Sequence, residues 1–317
     1  MSKRRKSRKQ QFYILLIPIL FLILFTILLI IDTNKTSQKS IYKKEVIQKE
    51  IQQEETYSNN QTKNNEERLI QFFGNLEIPL CAANNHSEDH EIRRFENYTI
   101  CYRESYEQAE WSAYCLSDYQ LVKNADRTND FRVDSMISTG SADLADYRKS
   151  GFDRGHLTPA ADMSFDEKAM SETFFMSNMS PQNPQFNRGI WKDLEAQVRT
   201  WVKEFGRAYV VSGPILNKDA DKYSFIGNNN VAIPEYFYKV ILVPVYKDVT
   251  DRASPDDATS VAAIGFVIPN QDCKDSFWNY AESIDQIEKI TNLDFYSQLP
   301  DSWENRIEAQ YVLDVWK

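Results

Sequence analysis

From residue 12 to residue 31 the chain runs for twenty residues without a charge, Phe-Tyr-Ile-Leu-Leu-Ile-Pro-Ile-Leu-Phe-Leu-Ile-Leu-Phe-Thr-Ile-Leu-Leu-Ile-Ile. At about 1.5 Å of rise per residue, a helix of that length crosses a hydrocarbon core of roughly 30 Å, so the pattern predicts one transmembrane helix at 12–31. Residues 32–69 reverse it: Lys, Gln, Glu, Asn, Ser and Thr dominate, Gly and Pro are absent, and a polar stalk is expected. From 70 to 317 apolar residues return in short runs rich in Val, Ile, Tyr and Phe. These predict strands at Tyr98–Arg103, Glu110–Leu116, Arg207–Ser212, Tyr236–Val245 and Ser260–Ile268. The period changes between them. Ile190, Leu194, Val198, Trp201, Val202 and Phe205 recur at helical spacing and predict a helix over Asn187–Phe205, and Ser283 with Gln286 reads as the capping box of a shorter one. Several strands with few helices indicate a single α+β domain around a mainly antiparallel sheet.

Charge sets an orientation. Lys3, Arg4, Arg5, Lys6, Arg8 and Lys9 precede the apolar run with no acidic residue among them, which by the positive-inside rule holds residues 1–11 in the cytoplasm. No small-x-small cleavage site follows, so the run reads as a retained anchor. The expected location is therefore the cell membrane, single-pass, with the domain extracellular or periplasmic. The whole chain carries a net charge of −9, and the six leading cations leave −15 for the portion beyond residue 31, which counts against a binder that relies on a broad basic surface. Cys81, Cys101, Cys115 and Cys273 all follow the anchor, where disulfides persist, and two bridges are expected; three connectivities exist, with Cys101 and Cys115 on what reads as one hairpin. A zinc site from Cys81, His86, His90 and Cys101 is the weaker alternative, because the spacing fits no finger.

The chain has three histidines, and His156 stands apart. It ends Asp153-Arg154-Gly155-His156, beside a phosphate-binding cation, and Gly151 and Gly155 allow a backbone path that presents the imidazole at a concave surface. At an ordinary pKa it is mostly neutral above about pH 7 and can take a proton from water. A satisfied structural histidine is the competing reading. Asn178-Met-Ser-Pro-Gln182 follows and leads into the 187–205 helix. There Glu195 and Arg199 lie one turn apart at the border of the apolar stripe, where they either line a cleft or form an ordinary surface pair. Asn187, in the first turn, points toward the apolar side, and a metal ion would partner its amide.

Together these segments resemble the DNA/RNA non-specific endonuclease family, whose members have the ββα-metal fold and include secreted bacterial nucleases and mitochondrial endonuclease G. The resemblance rests on Asp153-Arg-Gly-His156, Asn178-Met-Ser-Pro-Gln182, and Asn187-Arg-Gly-Ile-Trp191 with Leu194-Glu195 and Arg199. It continues in Val211-Ser-Gly-Pro-Ile215 and in Ser283–Thr291 with Leu293-Asp-Phe295, and covers most of residues 75–315. It implies that His156 is the general base, Asn187 the protein ligand of Mg²⁺ (Mn²⁺ as an alternative), and Glu195 a holder of the metal's waters. Arg154 and Arg199 then correspond to the phosphate and transition-state cations, with Asn178 and Asp153 as supports. The expectation is a membrane-anchored, Mg²⁺-dependent endonuclease cutting DNA and RNA with little sequence preference. Its rivals are an inactive nuclease-like scaffold and an enzyme acting on small phosphodiesters. A two-metal nuclease would need three or four converging carboxylates, and no such motif is present.

Overall fold

The computed structural model describes residues 76–81, 89–246, 258 and 260–317. The predicted tail (1–11), membrane helix (12–31) and stalk (32–69) lie outside those residues. Among the described residues no helix is long and apolar enough to cross a membrane.

All five predicted strands form. A short pair, β1 (Leu80–Cys81) with a strand late in the chain, stands apart from the main sheet. That sheet contains β2 (His90–Arg94), β3 (Thr99–Arg103), β4 (Gln108–Ser117), β7 (Arg207–Pro214), β10 (Tyr236–Val245), β11 (Ser260–Pro269) and β12 (Ala281–Glu282). Their spatial order is β12-β11-β10-β7-β4-β3-β2, with every neighbouring pair antiparallel. Between β4 and β7 the chain forms α1 (Leu144–Tyr147), β5 (Asp153–His156), α2 (Glu167–Glu172) and β6 (Met179–Gln182). The principal helix α3 (Lys192–Phe205) comes next. Two small strands, β8 (Phe225–Ile226) and β9 (Val231–Ala232), precede β10. After β11 come α4 (Ile284–Thr291), β13 (Leu293–Asp294), which is the partner of β1, and α5 (Asp301–Ala309).

Both faces of the central strands are covered, which is why β10 reads as an almost unbroken apolar run instead of an alternating one. On one face Trp111, Tyr209, Val211, Tyr238, Val240 and Leu242 pack with Ile284 and Ile287 of α4. The opposite face carries Ser112, Tyr114, Val210, Ser212, Lys239 and Ile241, the residues one position away along each strand, and receives α3. There Trp201 of the helix meets the ring of Phe266 at 6.3 Å. Leu194, Val198, Trp201, Val202 and Phe205, the predicted stripe, are buried. Gly206 ends the helix at φ +82, a left-handed conformation that glycine adopts without a side-chain clash.

Among the described residues the two predicted bridges are not both present. Cys101 and Cys115 do lie on one hairpin, but the register sets Cys101 opposite Trp111 and Cys115 opposite Tyr209, so the two are several residues out of step. Cys115 and Cys273 are free thiols. For the zinc alternative, His86 is outside the described residues and His90 Nε2 lies 3.3 Å from Glu110 Oε1. At Ser283 the hydroxyl accepts from the Gln286 amide N–H, which is the serine half of the expected capping box.

Gly213 tests how tightly the sheet is drawn together. A Cβ there would lie 2.0 Å from the Glu110 carbonyl oxygen and 2.8 Å from the Tyr238 hydroxyl. Backbone cannot swing aside as a side chain can, so Gly213→Ala should destabilise by about 3 kcal/mol and lower the melting temperature by roughly 6–12 °C. An unchanged melting temperature would mean that β4 and β7 can spread at this point.

Candidate active site

β5 and β6 form an antiparallel hairpin in which Asp153 faces Gln182, Gly155 faces Ser180 and His156 faces Met179. Gly155 is required here: a Cβ would come within 2.1 Å of the Gln182 side chain, which lies across it. Asn183 then caps the helical run, its side chain accepting from the Gln185 and Phe186 amides with Pro184 in the first turn. Within Asn187–Trp191 the helical run is kinked at Gly189 (φ −106, ψ −112) before α3 proper begins at Lys192. The helical run therefore starts at Pro184, three residues before the predicted boundary. A helix is in this way delivered directly onto a hairpin, the ββα arrangement.

Asp153 joins the two parts. Its carboxylate accepts from Asn187 Nδ2 at 2.9 Å and from Arg188 Nε and Nη2 at 2.8 and 2.6 Å. Burial raises the pKa of Asp153, but these hydrogen bonds outweigh it and hold the carboxyl below its ordinary value. With its nitrogen taken, the Asn187 amide has its carbonyl oxygen left to offer. Asn178 is the second support and is fully buried. Its side chain donates to the Thr158 and Thr173 carbonyls and accepts from the Thr158 N–H, clamping the chain just after His156.

His156 is 9% exposed, and its Nε2 has no hydrogen-bond partner. The edge of Phe174 stands against the imidazole at 4.9 Å between centroids, and Phe131 lies at 5.8 Å. The Arg154 guanidinium sits over Phe131 at 4.3 Å and the Arg127 guanidinium over Phe174 at 4.8 Å, so two cations flank the histidine, each laid on an aromatic face. Burial, followed by Arg127 and Arg154, pushes the pKa of His156 down to about 3. This corrects the expectation of a surface histidine with an ordinary pKa: the ring is neutral across the physiological range.

On α3, Arg199 Nη1 donates to Asp162 Oδ1 at 2.6 Å, and the Tyr114 hydroxyl donates to the other oxygen of Asp162 at 2.7 Å. Glu195, one turn before Arg199, is half-buried, and burial pushes its carboxyl up to about 7 against the pull of Lys239. The sequence reading missed Arg127, Phe131, Phe174 and Lys239. Lys239 carried a signal, being the one charge within Tyr236–Val245; Arg127, in a polar stretch, carried none. Asp153 and Asp162 are each engaged by an arginine. Among the described residues the carboxylates close enough to share an ion are Asp285, Glu288 and Glu308, and Asp294, Glu304 and Glu308, on and around α4 and α5 beyond the other face of the sheet.

A ββα unit with a neutral histidine on the hairpin, an asparagine at the start of the helix and arginines around both defines a nuclease-type site. The family model for DNA/RNA non-specific endonucleases matches residues 79–302, and the chain belongs to that family. It is 32% identical over 252 residues to the mitochondrial nuclease EXOG of Mus musculus, covering 76% of this chain and 64% of the relative. It is 38% identical over 162 residues to the mitochondrial endonuclease G of Homo sapiens (48% and 54% covered), and 37% identical over 217 residues to nuclease C1 of Cunninghamella echinulata var. echinulata (64% and 82%). A crystal structure of the EndoG/EndoGI complex, described as showing the mechanism of EndoG inhibition, aligns with a TM-score of 0.59 at 31% identity, covering 67% of this chain and 88% of the other. These relatives overturn the expected location at the cell membrane facing outward. Several are named mitochondrial nucleases, those of Saccharomyces cerevisiae and Schizosaccharomyces pombe among them.

The burial of His156 has a measurable consequence for stability. Its folded pKa, about 3, is below the ordinary 6.5, so between those values the unfolded chain binds a proton that the folded protein does not. Stability from this residue is complete above about pH 6.5 and is lost as pH falls through that window. His156→Asn should therefore reduce the drop in melting temperature between pH 6.5 and pH 4 by roughly 6–12 °C. Equal drops in the two proteins would place the imidazole in water.

Proposed function

We propose that this protein is an endonuclease that hydrolyses phosphodiester bonds of DNA and RNA with little sequence preference, using one divalent metal ion, Mg²⁺, and His156 as general base. The observation that supports this most is the neutral, buried imidazole with an unpartnered Nε2, flanked by two arginines that lie on the aromatic rings packed against it. An orphaned buried nitrogen costs free energy unless something fills the space before it, and an attacking water would do so.

The residues present fit a magnesium ion. Asn187 would hold it through the amide oxygen that Asp153 leaves available, and Glu195 would hold its waters. One neutral ligand suits Mg²⁺, which keeps several waters and takes its remaining oxygens from the substrate phosphate. When bound, the ion supplies Lewis-acid stabilisation of charge on the phosphorane and on the leaving oxygen.

The chain's own groups do the rest. Arg154 and Arg127 bind phosphate oxygens. Their aromatic supports fix them in place, so less side-chain freedom is lost on binding. Phosphate arriving there offsets the positive field that depresses His156, so the imidazole becomes a stronger base when substrate is bound. His156 then takes the proton from the water at Nε2. Arg199, locked by Asp162, presents a guanidinium whose orientation is set before substrate arrives. All of these contacts address phosphate, which carries no base identity and is common to DNA and RNA; this supports breadth toward both.

The test is cleavage of supercoiled DNA, single-stranded DNA and RNA across a Mg²⁺ titration, with the cut sites mapped. The parent protein should cut all three at many positions. His156→Asn should lose about 10²–10⁴ in rate. Asn187→Ala should require far more Mg²⁺ and recover only partly. Full activity in a chelator, near-normal turnover by His156→Asn, or cutting confined to one short sequence would each reject the proposal.

A further inference from the structure

Beneath α3 a line of buried polar residues crosses the sheet. Ser112 on β4 is directly opposite Ser212 on β7, and Ser212 is directly opposite Lys239 on β10, so their side chains share one face. All three are completely buried. At one end the Ser112 hydroxyl is 2.6 Å from the hydroxyl of Thr158, two residues beyond His156 and held by Asn178. At the other end Lys239 Nζ donates to the Ser212 hydroxyl and lies 4.5 Å from the ring centroid of Trp191. Trp191 and Glu195 are one helical turn apart, so they share the side of the helix turned toward this lysine. A fully buried ammonium that donates to a neutral hydroxyl is costly, and it persists when an opposite charge compensates it. Asp162 is already neutralised by Arg199, which leaves the Glu195 carboxylate for that part.

We infer that Lys239 is a positioning residue of the active site: anchored from below by the Ser112–Ser212 row, it holds the Glu195 carboxylate charged and aimed into the cleft. The inference rests on the role proposed for Glu195. Lys239 itself touches no substrate, and it acts through that carboxylate. The charged neighbours of the pair are Asp162, Arg199 and Arg127, each of which interacts with Glu195. Burial raises the Glu195 carboxyl, and Lys239 is the strongest influence opposing that rise.

The experiment is a double-mutant cycle in the full chain, with steady-state kinetics on a DNA substrate and thermal unfolding both measured. Lys239→Met should lower kcat roughly 10- to 100-fold while KM stays within about twofold, since substrate contacts are intact. In a Glu195→Gln background the same substitution should cost no more than about a further twofold. Unfolding gives a readout independent of turnover. Glu195→Gln should lower the melting temperature because the ammonium loses its counter-charge, and adding Lys239→Met should restore part of that loss. Should Lys239→Met fail to fold, Ser212→Ala keeps the lysine and removes its anchor; it should lower kcat several-fold in the parent and leave the Glu195→Gln protein unchanged. Additive effects in either cycle, or a kcat within twofold of the parent for Lys239→Met, would overturn the inference while the role of Glu195 stood. A Glu195→Gln protein with unchanged kcat would instead remove the role proposed for Glu195, and this inference with it.

Discussion

The site depends on one carboxylate. Asp153 is the first residue of the hairpin strand that ends in His156, and it accepts three hydrogen bonds from two adjacent residues at the start of the helix, Asn187 and Arg188. The hairpin contains only eight residues in its two strands and has little apolar surface with which to fix itself against that helix. The ionic contact supplies what packing cannot, and it also determines which end of the Asn187 amide is left for a ligand. Asn178 does the equivalent work behind the histidine, where two buried hydrogen bonds to Thr158 and one to Thr173 tie the two segments together.

This design reconciles a chain of net charge −9 with a polyanionic substrate. Cations are not spread over a surface. They are placed where charge matters, two on aromatic faces beside His156 and one paired with a buried aspartate, while the acidic residues on and around α4 and α5 lie beyond the other face of the sheet. An enzyme gains nothing from gripping its product, so a few well-placed cations suffice for turnover. The same confinement explains the low pKa of His156. Desolvation and two neighbouring positive charges keep it unprotonated.

Much of this was legible in the sequence, for identifiable reasons. The 3.6-residue period from Ile190 to Phe205 reports a helix with one buried face, and the apolar runs at 236–245 and 260–268 report strands buried on both faces. The hairpin was visible only as motif, because Asp-Arg-Gly-His and Met-Ser-Pro-Gln have no hydrophobic alternation; polar contacts hold it. Edge strand β2, His-Glu-Ile-Arg-Arg, was missed because an edge needs little apolar content. Burial of His156 and the pairing of Arg127 with Phe174 arise from contacts between residues 18 and 47 positions apart, which no local pattern encodes. Two inferences from cellular context failed. The cysteines were read as oxidised because they follow an apolar run, yet strand register separates Cys101 from Cys115, and the named mitochondrial relatives contradict an outward-facing location.

The central claim is that the hairpin and helix together make a single-metal site whose protein ligand is the Asn187 oxygen. Anomalous scattering from crystals of the protein soaked in Mn²⁺ tests it directly. One peak within about 2.5 Å of Asn187 Oδ1, with waters filling the rest of the shell and lost in Asn187→Ala, is the predicted result. No peak at Asn187 while manganese occupies the carboxylates around Glu288 and Glu308, or two ions about 4 Å apart near His156, would contradict it.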